Sequence, residues 1–290
     1  MPDRRARILA VLRALAWLGL FSVAVGALLS INPLYSDANA LQSQLSDETI
    51  LVAASLALSW GFLRLEGKPL NSLGLHLNRG WFRQFGQGVL LGGAVILVAA
   101  LATALLAGVR WRAGTPAPAT LASGVGLYLA VAWAEELHYR GYPFQRLCEA
   151  LGPWAVQAVF AVYFVLGHWQ NPGMAGTTRL WAALNIGLAS LLLGYAWLRT
   201  GSLALSLGIH FGWNFVQGPL LGFGVSGTRG ASVLEPVLPS GATWLHGGGF
   251  GLEAGLLCAV SCLAAFILVA RFPLAGGILD EKEQPCRDGS

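Results

Sequence analysis

Long apolar segments alternate with short polar stretches along almost the whole chain. The first apolar run, Ile8 to Leu29, is 22 residues long, enough to cross a hydrocarbon core of about 30 Å as a helix. A signal peptide usually has an apolar region of only about 7–15 residues, so a retained helix is expected here. Further spans are predicted at about Thr49 to Leu65, Phe85 to Gly108, Thr120 to Cys148, Pro153 to His168, Leu180 to Leu198, Ser202 to Gly218 and Phe250 to Ala270. The pattern therefore predicts an all-α bundle of about eight transmembrane helices, forming one integral membrane domain over residues 1–290.

The distribution of charge predicts which side of the membrane each loop faces. The segment Ser30 to Glu48 holds Asp37, Asp47 and Glu48 but neither Lys nor Arg, which is typical of an exterior loop. With both termini cytoplasmic, four of the 18 Lys and Arg residues lie outside and the other 14 lie inside, as the positive-inside rule expects. The Gly-, Pro- and Ser-rich segment Pro219 to Gly249 falls outside, and we expect a plain linker there rather than a gate.

Composition supports a membrane protein and excludes a nucleic-acid binder. The chain is 55% hydrophobic and 11% charged, against about 25% charged residues in soluble domains. The net charge of +4 then reflects basic interior loops, and the expected location is the cell inner (plasma) membrane. The four cysteines have no framework spacing and are expected to be packing residues or incidental thiols: Cys148, Cys258, Cys262 and Cys286.

The segment Ala134 to Tyr142 places two adjacent carboxylates and an arginine directly behind an apolar run. Charge at such a position is costly unless it is paired or used, so the segment marks a functional site. On a helix, Glu136 and Arg140 share a face and can form an ion pair. Glu135 points about 100° away and stays free for chemistry, and His138 can share its face in a supporting or interfacial role. Ordinary interfacial charges at a helix end are the alternative interpretation.

Three polar residues follow on later spans. His168 ends the fifth span, and His210 and Asn214 lie four residues apart on one face of the seventh. Each alone is compatible with a hydrogen bond inside the bundle. At 1.5 Å per residue, these groups and Glu135 lie roughly 12–22 Å from the cytoplasmic helix ends, with His168 fitting least well. The four are therefore predicted to meet in a polar cavity near the midplane.

The order Glu-Glu-x-x-x-Arg, Phe-x-x-x-His and His-x-x-x-Asn, each on its own hydrophobic span, resembles the CPBP family of intramembrane endopeptidases. This family includes the type II CAAX prenyl proteases and bacterial proteins linked to bacteriocin maturation and self-protection. The resemblance covers a core of about residues 120–218. It implies that Glu136 and Arg140 are supporting residues that hold the helix and the charge of the site.

The same resemblance implies a catalytic role for each remaining motif residue. Glu135 would be the base that deprotonates water, and His168 would help to position that water. His210 and Asn214 would donate hydrogen bonds to the oxyanion of the tetrahedral intermediate. Together these groups imply hydrolysis of a peptide bond without a covalent intermediate.

Two alternatives remain open from the sequence. Glu135, His168 and His210 could ligate Zn²⁺ and leave a position for water, but no His-Glu-x-x-His helix is present and asparagine is an unusual zinc ligand. No cofactor is therefore favoured. A non-catalytic membrane immunity or binding protein could also retain the polar cluster, although every motif position is filled. The expected partners are the lipid bilayer and a peptide or protein substrate, lipidated or membrane-bound, with no nucleic acid.

Overall fold

The computed structural model describes residues 3–32, 41–116, 118–271 and 286. Helices dominate this part of the chain, as the all-α prediction requires, and the strands are two short segments. The helices are α1 Arg4–Ser30, α2 Leu41–Leu65, α3 Arg79–Ala107, α4 Pro118–Tyr139, α5 Tyr142–Leu151, α6 Pro153–Gly167, α7 Gly176–Thr200, α8 Leu203–Phe215, α9 Thr243–His246 and α10 Leu256–Arg271. The strands are β1 Arg110–Ala113 and β2 Leu234–Val237.

Four helices of the described residues, α1, α2, α3 and α7, are long and apolar enough to cross a membrane. Helices α6 and α10 are apolar but shorter. Many of the exposed side chains on these helices are large and hydrophobic, as lipid-facing surfaces are. The fold is therefore that of a multi-pass membrane protein, and the eight-span count and the cytoplasmic termini stay predictions.

The predicted continuous helix from Thr120 to Cys148 is wrong, because the chain breaks between α4 and α5. At Gly141 a Cβ atom would lie only 2.0 Å from the carbonyl oxygen of Leu137, so the turn needs a residue without a side chain. Pro143 then occupies the first turn of α5, a position where its missing N–H costs nothing. Glu135 consequently lies about 6 Å along the axis from the end of α4, and its depth counted from Cys148 no longer applies.

Helix α2 begins eight residues earlier than its predicted start at Thr49. Asp47 and Glu48 therefore belong to the second turn of a helix, and the predicted exterior loop ending at Glu48 is wrong at its C-terminal end. Acidic residues are typical of a loop, but they are tolerated in this helix because one side of α2 borders an internal cavity.

The segment 219–249 is more ordered than the plain linker that its composition predicts. Strands β1 and β2 pair in antiparallel fashion, with Arg110 opposite Val237 and Ala113 opposite Leu234. A hydrogen bond also closes the first part of the segment, because the N–H of Val233 donates to the carbonyl oxygen of Pro219 (2.8 Å). A two-stranded pairing between segments more than a hundred residues apart leaves no local pattern in the sequence.

Helices α3 and α8 pack with their backbones in close approach. A Cβ on Gly92 would lie 2.0 Å from the carbonyl oxygen of Ile209, and a Cβ on Gly212 would lie 2.2 Å from that of Val89. Each helix contributes two such glycines at four-residue spacing, Gly88 and Gly92 on α3 and Gly208 and Gly212 on α8. Small residues at this spacing allow membrane helices to pack closely by van der Waals contact, and here they fix the position of the helix that carries two predicted site residues.

Helix α5 is held to α1 and α2 by polar contacts around Glu66. The buried carboxylate of Glu66 accepts a hydrogen bond from Arg146 Nη1 (3.2 Å) and lies 3.5 Å from Arg13 Nη1. It also accepts from the hydroxyl of Tyr142. Burial of the ring, together with this hydrogen bond, raises the pKa of Tyr142, so the phenol stays protonated as a donor.

A disulfide joins Cys148 of α5 to Cys286, 138 residues further along the chain. Their Cα atoms are 5.4 Å apart, whereas Cys258 and Cys262 are free and buried. The prediction of packing residues or incidental thiols is therefore wrong for the first pair. Disulfide formation depends on Cα proximity in the fold, which sequence spacing over such a distance does not reveal.

Candidate active site

A cavity of about 520 Å³ lies between several of the helices and the segment that follows α8. Its lining includes residues of α1, α2, α4, α7 and α8, with His168 at the end of α6. All four residues predicted to converge border this one cavity: Glu135, His168, His210 and Asn214. The structure thus brings together groups that are as much as 79 residues apart in sequence.

Glu135 lies between two histidines. Its Oε1 is 3.7 Å from Nε2 of His168, and its Oε2 is 3.6 Å from Nε2 of His210. The Glu135 side chain is 24% exposed, more than either histidine, so it faces the cavity space. Separations of 3.6–3.7 Å are longer than a direct hydrogen bond but suit groups that share a water molecule or a substrate atom.

Both histidines are oriented through their other ring nitrogen. Nδ1 of His168 lies 2.8 Å from the carbonyl oxygen of Phe164, one turn earlier in α6. Nδ1 of His210 lies 2.9 Å from Oε1 of Glu136. Because a carbonyl and a carboxylate only accept, each Nδ1 carries the proton, and each Nε2 that faces Glu135 is an acceptor in the neutral ring.

The predicted ion pair between Glu136 and Arg140 is present and fully buried. Nη1 of Arg140 donates to Oε1 of Glu136 (3.1 Å), and Nη2 donates to the carbonyl oxygen and the Oγ of Ser190 (3.0 Å each). The guanidinium carbon also lies 4.9 Å from the ring centre of Phe164. Glu136 therefore contacts both Arg140 and His210, which connects α4 to α7 and α8.

Asn214 lies one helical turn beyond His210 and borders the same cavity. Asn214 is 5% exposed, yet its amide forms no hydrogen bond with the residues that the structure describes. A buried polar group without a partner is unusual, so this amide is available to a bound molecule.

His138 also borders the cavity and has a supporting position. Its Nε2 lies 2.7 Å from the hydroxyl of Tyr163, and its ring contacts Phe21 with 4.4 Å between ring centres. This agrees with the position on the Glu135 side of α4 that the sequence predicts for it.

Sequence reasoning missed Glu253, which precedes α10 and lines the cavity. Its Oε1 accepts from Nε1 of Trp213 (3.0 Å), and its Oε2 accepts from the N–H (2.6 Å) and Oγ (3.0 Å) of Ser226. The sequence contains one indication of this role: Glu253 is a single carboxylate inside the predicted apolar span Phe250 to Ala270, and charged residues within such spans are rare and usually functional.

Asp47 and Glu48 of α2 were also missed as site residues, because they were assigned to an exterior loop. Both border the cavity that holds Glu135. Among the residues with described positions, no group of three or more His, Cys, Asp and Glu side chains has an arrangement suited to a metal ion.

One protein family matches the part of the chain that carries these residues. Residues 117–216 match the family described as type II CAAX prenyl endopeptidase Rce1-like. This core is therefore similar to CAAX proteases. The family match contains the Glu-Glu-x-x-x-Arg segment, His168, His210 and Asn214, and it confirms the resemblance seen in the three motifs. No curated protein and no solved structure matches the chain. This match and the apolar helices support a membrane-embedded protease.

Proposed function

We propose that this chain is an intramembrane endopeptidase of the CAAX protease type that hydrolyses a peptide bond with water activated by Glu135. The observation that carries the proposal is the position of Glu135, whose two oxygens face Nε2 of His168 and Nε2 of His210 in one cavity. A carboxylate flanked in this way can take a proton from water while a neighbouring nitrogen fixes the water's orientation.

The reaction proceeds in two steps. Water attacks the carbonyl carbon of the scissile bond, its proton passes to Glu135, and a tetrahedral intermediate with one oxyanion forms. Nε2 of His168 accepts the second hydrogen bond of the water and so directs its lone pair. The intermediate then collapses with cleavage of the C–N bond, and Glu135 returns the proton to the leaving amine. The products are a carboxylic acid and an amine.

Asn214 supplies the oxyanion donor that this scheme requires. Its amide is buried at the cavity without a partner in the described part of the chain, so no existing hydrogen bond is lost when it binds the oxyanion. Preorganised donors of this kind act without reorganisation during the reaction, and loss of one typically costs about 10²–10³ in rate.

His210 is a donor through Nε2 only as an imidazolium, because its Nδ1 proton already points at Glu136. The two carboxylates on either side of the ring, Glu135 and Glu136, favour that charged form electrostatically. Glu136 therefore has a positioning role in addition to its pairing with Arg140. We propose that His210 stabilises the oxyanion as an imidazolium.

In the proposed mechanism, side chains act as base, water-positioning group and oxyanion donor, so the reaction needs no metal ion. We propose the cell inner (plasma) membrane as the location and a peptide or protein as substrate, lipidated or membrane-bound. A zinc-dependent protease and a non-catalytic immunity or binding protein are the alternatives that the following experiment separates.

The test compares purified wild type with Glu135→Gln, which keeps the shape of the side chain and removes the base. Quenched peptides with and without a farnesylated cysteine serve as substrates, and Glu235→Gln, on β2 and outside the cavity, is the matched control. We expect cleavage by wild type and the control, and none by Glu135→Gln at unchanged thermal stability. Metal analysis and chelation on the same samples decide the zinc alternative, and cleavage by Glu135→Gln would exclude its role as base.

A further inference from the structure

The cavity wall carries more carboxyl groups than the proposed reaction uses. Besides Glu135, its lining includes Asp47 and Glu48 from α2 and Glu253. No Lys or Arg occurs among the lining residues that the structure describes. In the sequence, the segment 33–40 between α1 and α2 also lacks Lys and Arg.

Two of these additional carboxyl groups already have hydrogen-bond donors. Glu253 accepts from Trp213 and Ser226, and Oδ1 of Asp47 accepts from Nδ2 of Asn32 (2.9 Å). Glu48 has no hydrogen bond or ion pair with the described residues, although it lies within electrostatic range of Glu135 and His210. Glu48 is therefore a lining carboxyl group that remains available to a bound molecule.

A second unpaired acceptor lies on the α7 side of the cavity. Asn185 is 1% exposed, and its Nδ2 donates to the carbonyl oxygens of Trp181 (3.0 Å) and Gly255 (3.1 Å). These two bonds fix the amide orientation and leave Oδ1 without a donor among the described residues. A buried acceptor without a donor is costly unless a ligand or water supplies one. The cavity thus offers acceptors to a ligand that carries N–H groups and positive charge.

We infer that Glu48 determines substrate specificity by receiving an ammonium or guanidinium group of the peptide close to the scissile bond. This inference rests on the proposed function and names its substrate class, which is cationic peptides.

The test uses quenched peptides that differ at one position next to the scissile bond, with Lys, Gln or Glu there. Each is prepared with a free or acetylated N-terminus, which separates a side-chain cation from an N-terminal ammonium. We expect wild type to prefer the Lys peptide over the Gln peptide by about tenfold to hundredfold in kcat/KM, the range for one hydrogen bond to a charged group. Glu48→Gln should abolish this preference, and Glu235→Gln should retain it. If Glu48 binds the N-terminal ammonium of the peptide instead, acetylation of the N-terminus should lower kcat/KM, and the side chain at the varied position should have little effect.

Binding of the same peptides to Glu135→Gln separates this inference from the proposed function. A charge preference in binding that Glu48→Gln removes, without cleavage by wild type, would support the inference and overturn the proposed activity. Cleavage without a preference for the cationic peptides, or a preference that survives Glu48→Gln, would overturn the inference and leave the activity in place. Equal binding of all peptides without any cleavage would overturn both.

Discussion

Nδ1 of His210 lies 2.9 Å from Oε1 of Glu136, so the second glutamate of the adjacent pair orients a histidine on a different helix. The same oxygen accepts from Arg140 at 3.1 Å. One carboxylate thus fixes which nitrogen of His210 faces Glu135 and also neutralises the buried arginine. The two adjacent glutamates face different partners because successive helix positions point about 100° apart.

Glu136→Gln is expected to lower both kcat and stability. The amide keeps the shape but removes the charge that holds Arg140 and His210, and breaking a buried ion pair by changing one partner typically costs about 3–5 kcal/mol. We expect kcat to fall at least tenfold while KM changes little, since substrate contacts are retained. Thermal unfolding in detergent and peptide cleavage measure the two effects.

Ser190→Ala is the control for that experiment. It removes a hydroxyl that accepts from Arg140 (3.0 Å) without contacting His210. A loss of stability at nearly unchanged kcat is expected, and an equal fall of kcat in both variants would mean that Glu136 acts through stability alone.

The motif spacing predicted the parts of the site that depend on local geometry. Glu136 and Arg140 are four residues apart on a helix, and His210 and Asn214 are likewise four apart, so each pair follows from helical periodicity. The contact from Glu136 to His210 spans 74 residues and depends on how α4 and α8 pack. Periodicity within one helix contains no information on that contact.

Other parts of the site do not follow from a single local signal. The charges of Asp47 and Glu48 are typical of a loop, but a helix beside a polar cavity tolerates them as well. The apolar character of Thr120 to Cys148 favours one long helix, whereas Gly141 and Pro143 end one helix and begin the next. The partners of Glu253, Trp213 and Ser226, are brought to it only by the fold.

Asn214→Ala should lower kcat by about 10²–10³ with a small effect on stability. The amide has no partner within the described residues, so its loss leaves no buried group unpaired in the resting protein, whereas the oxyanion loses a donor. Cleavage of a saturating peptide is the measurement. Asn71→Ala, at an exposed position in the turn before α3, is the control. A reduction of less than about twofold would exclude Asn214 as an oxyanion donor.

Gly212→Ala should destabilise the protein, although alanine favours helices. The new Cβ would lie 2.2 Å from the carbonyl oxygen of Val89, so α3 and α8 must separate. Overpacking of this kind costs about 1–3 kcal/mol. It also displaces the helix that carries His210 and Asn214, so kcat should fall together with the thermal transition.

Gly86→Ala is the matched control on α3, because nothing lies within 4 Å of the added Cβ. It should be neutral or stabilise by roughly 0.5–1 kcal/mol, the usual gain of alanine over glycine in a helix. If Gly212→Ala behaves in the same way, the close approach of α3 and α8 is not needed for stability.

Glu253→Gln should loosen the turn at residues 225–228 from the wall of the cavity. The carboxylate accepts three hydrogen bonds, from Trp213 and from the N–H and Oγ of Ser226, whereas glutamine has one oxygen and an amide group that donates. At least one buried donor is then left unpaired, at a cost of about 1–3 kcal/mol.

Arg229 follows this turn and is exposed, so the rate of trypsin cleavage after Arg229 measures how readily the turn detaches from the cavity wall. We expect faster cleavage there in Glu253→Gln than in wild type or in Glu235→Gln, which alters a carboxylate of β2 outside the cavity. Equal cleavage rates in all three proteins would show that Glu253 does not hold the turn in place.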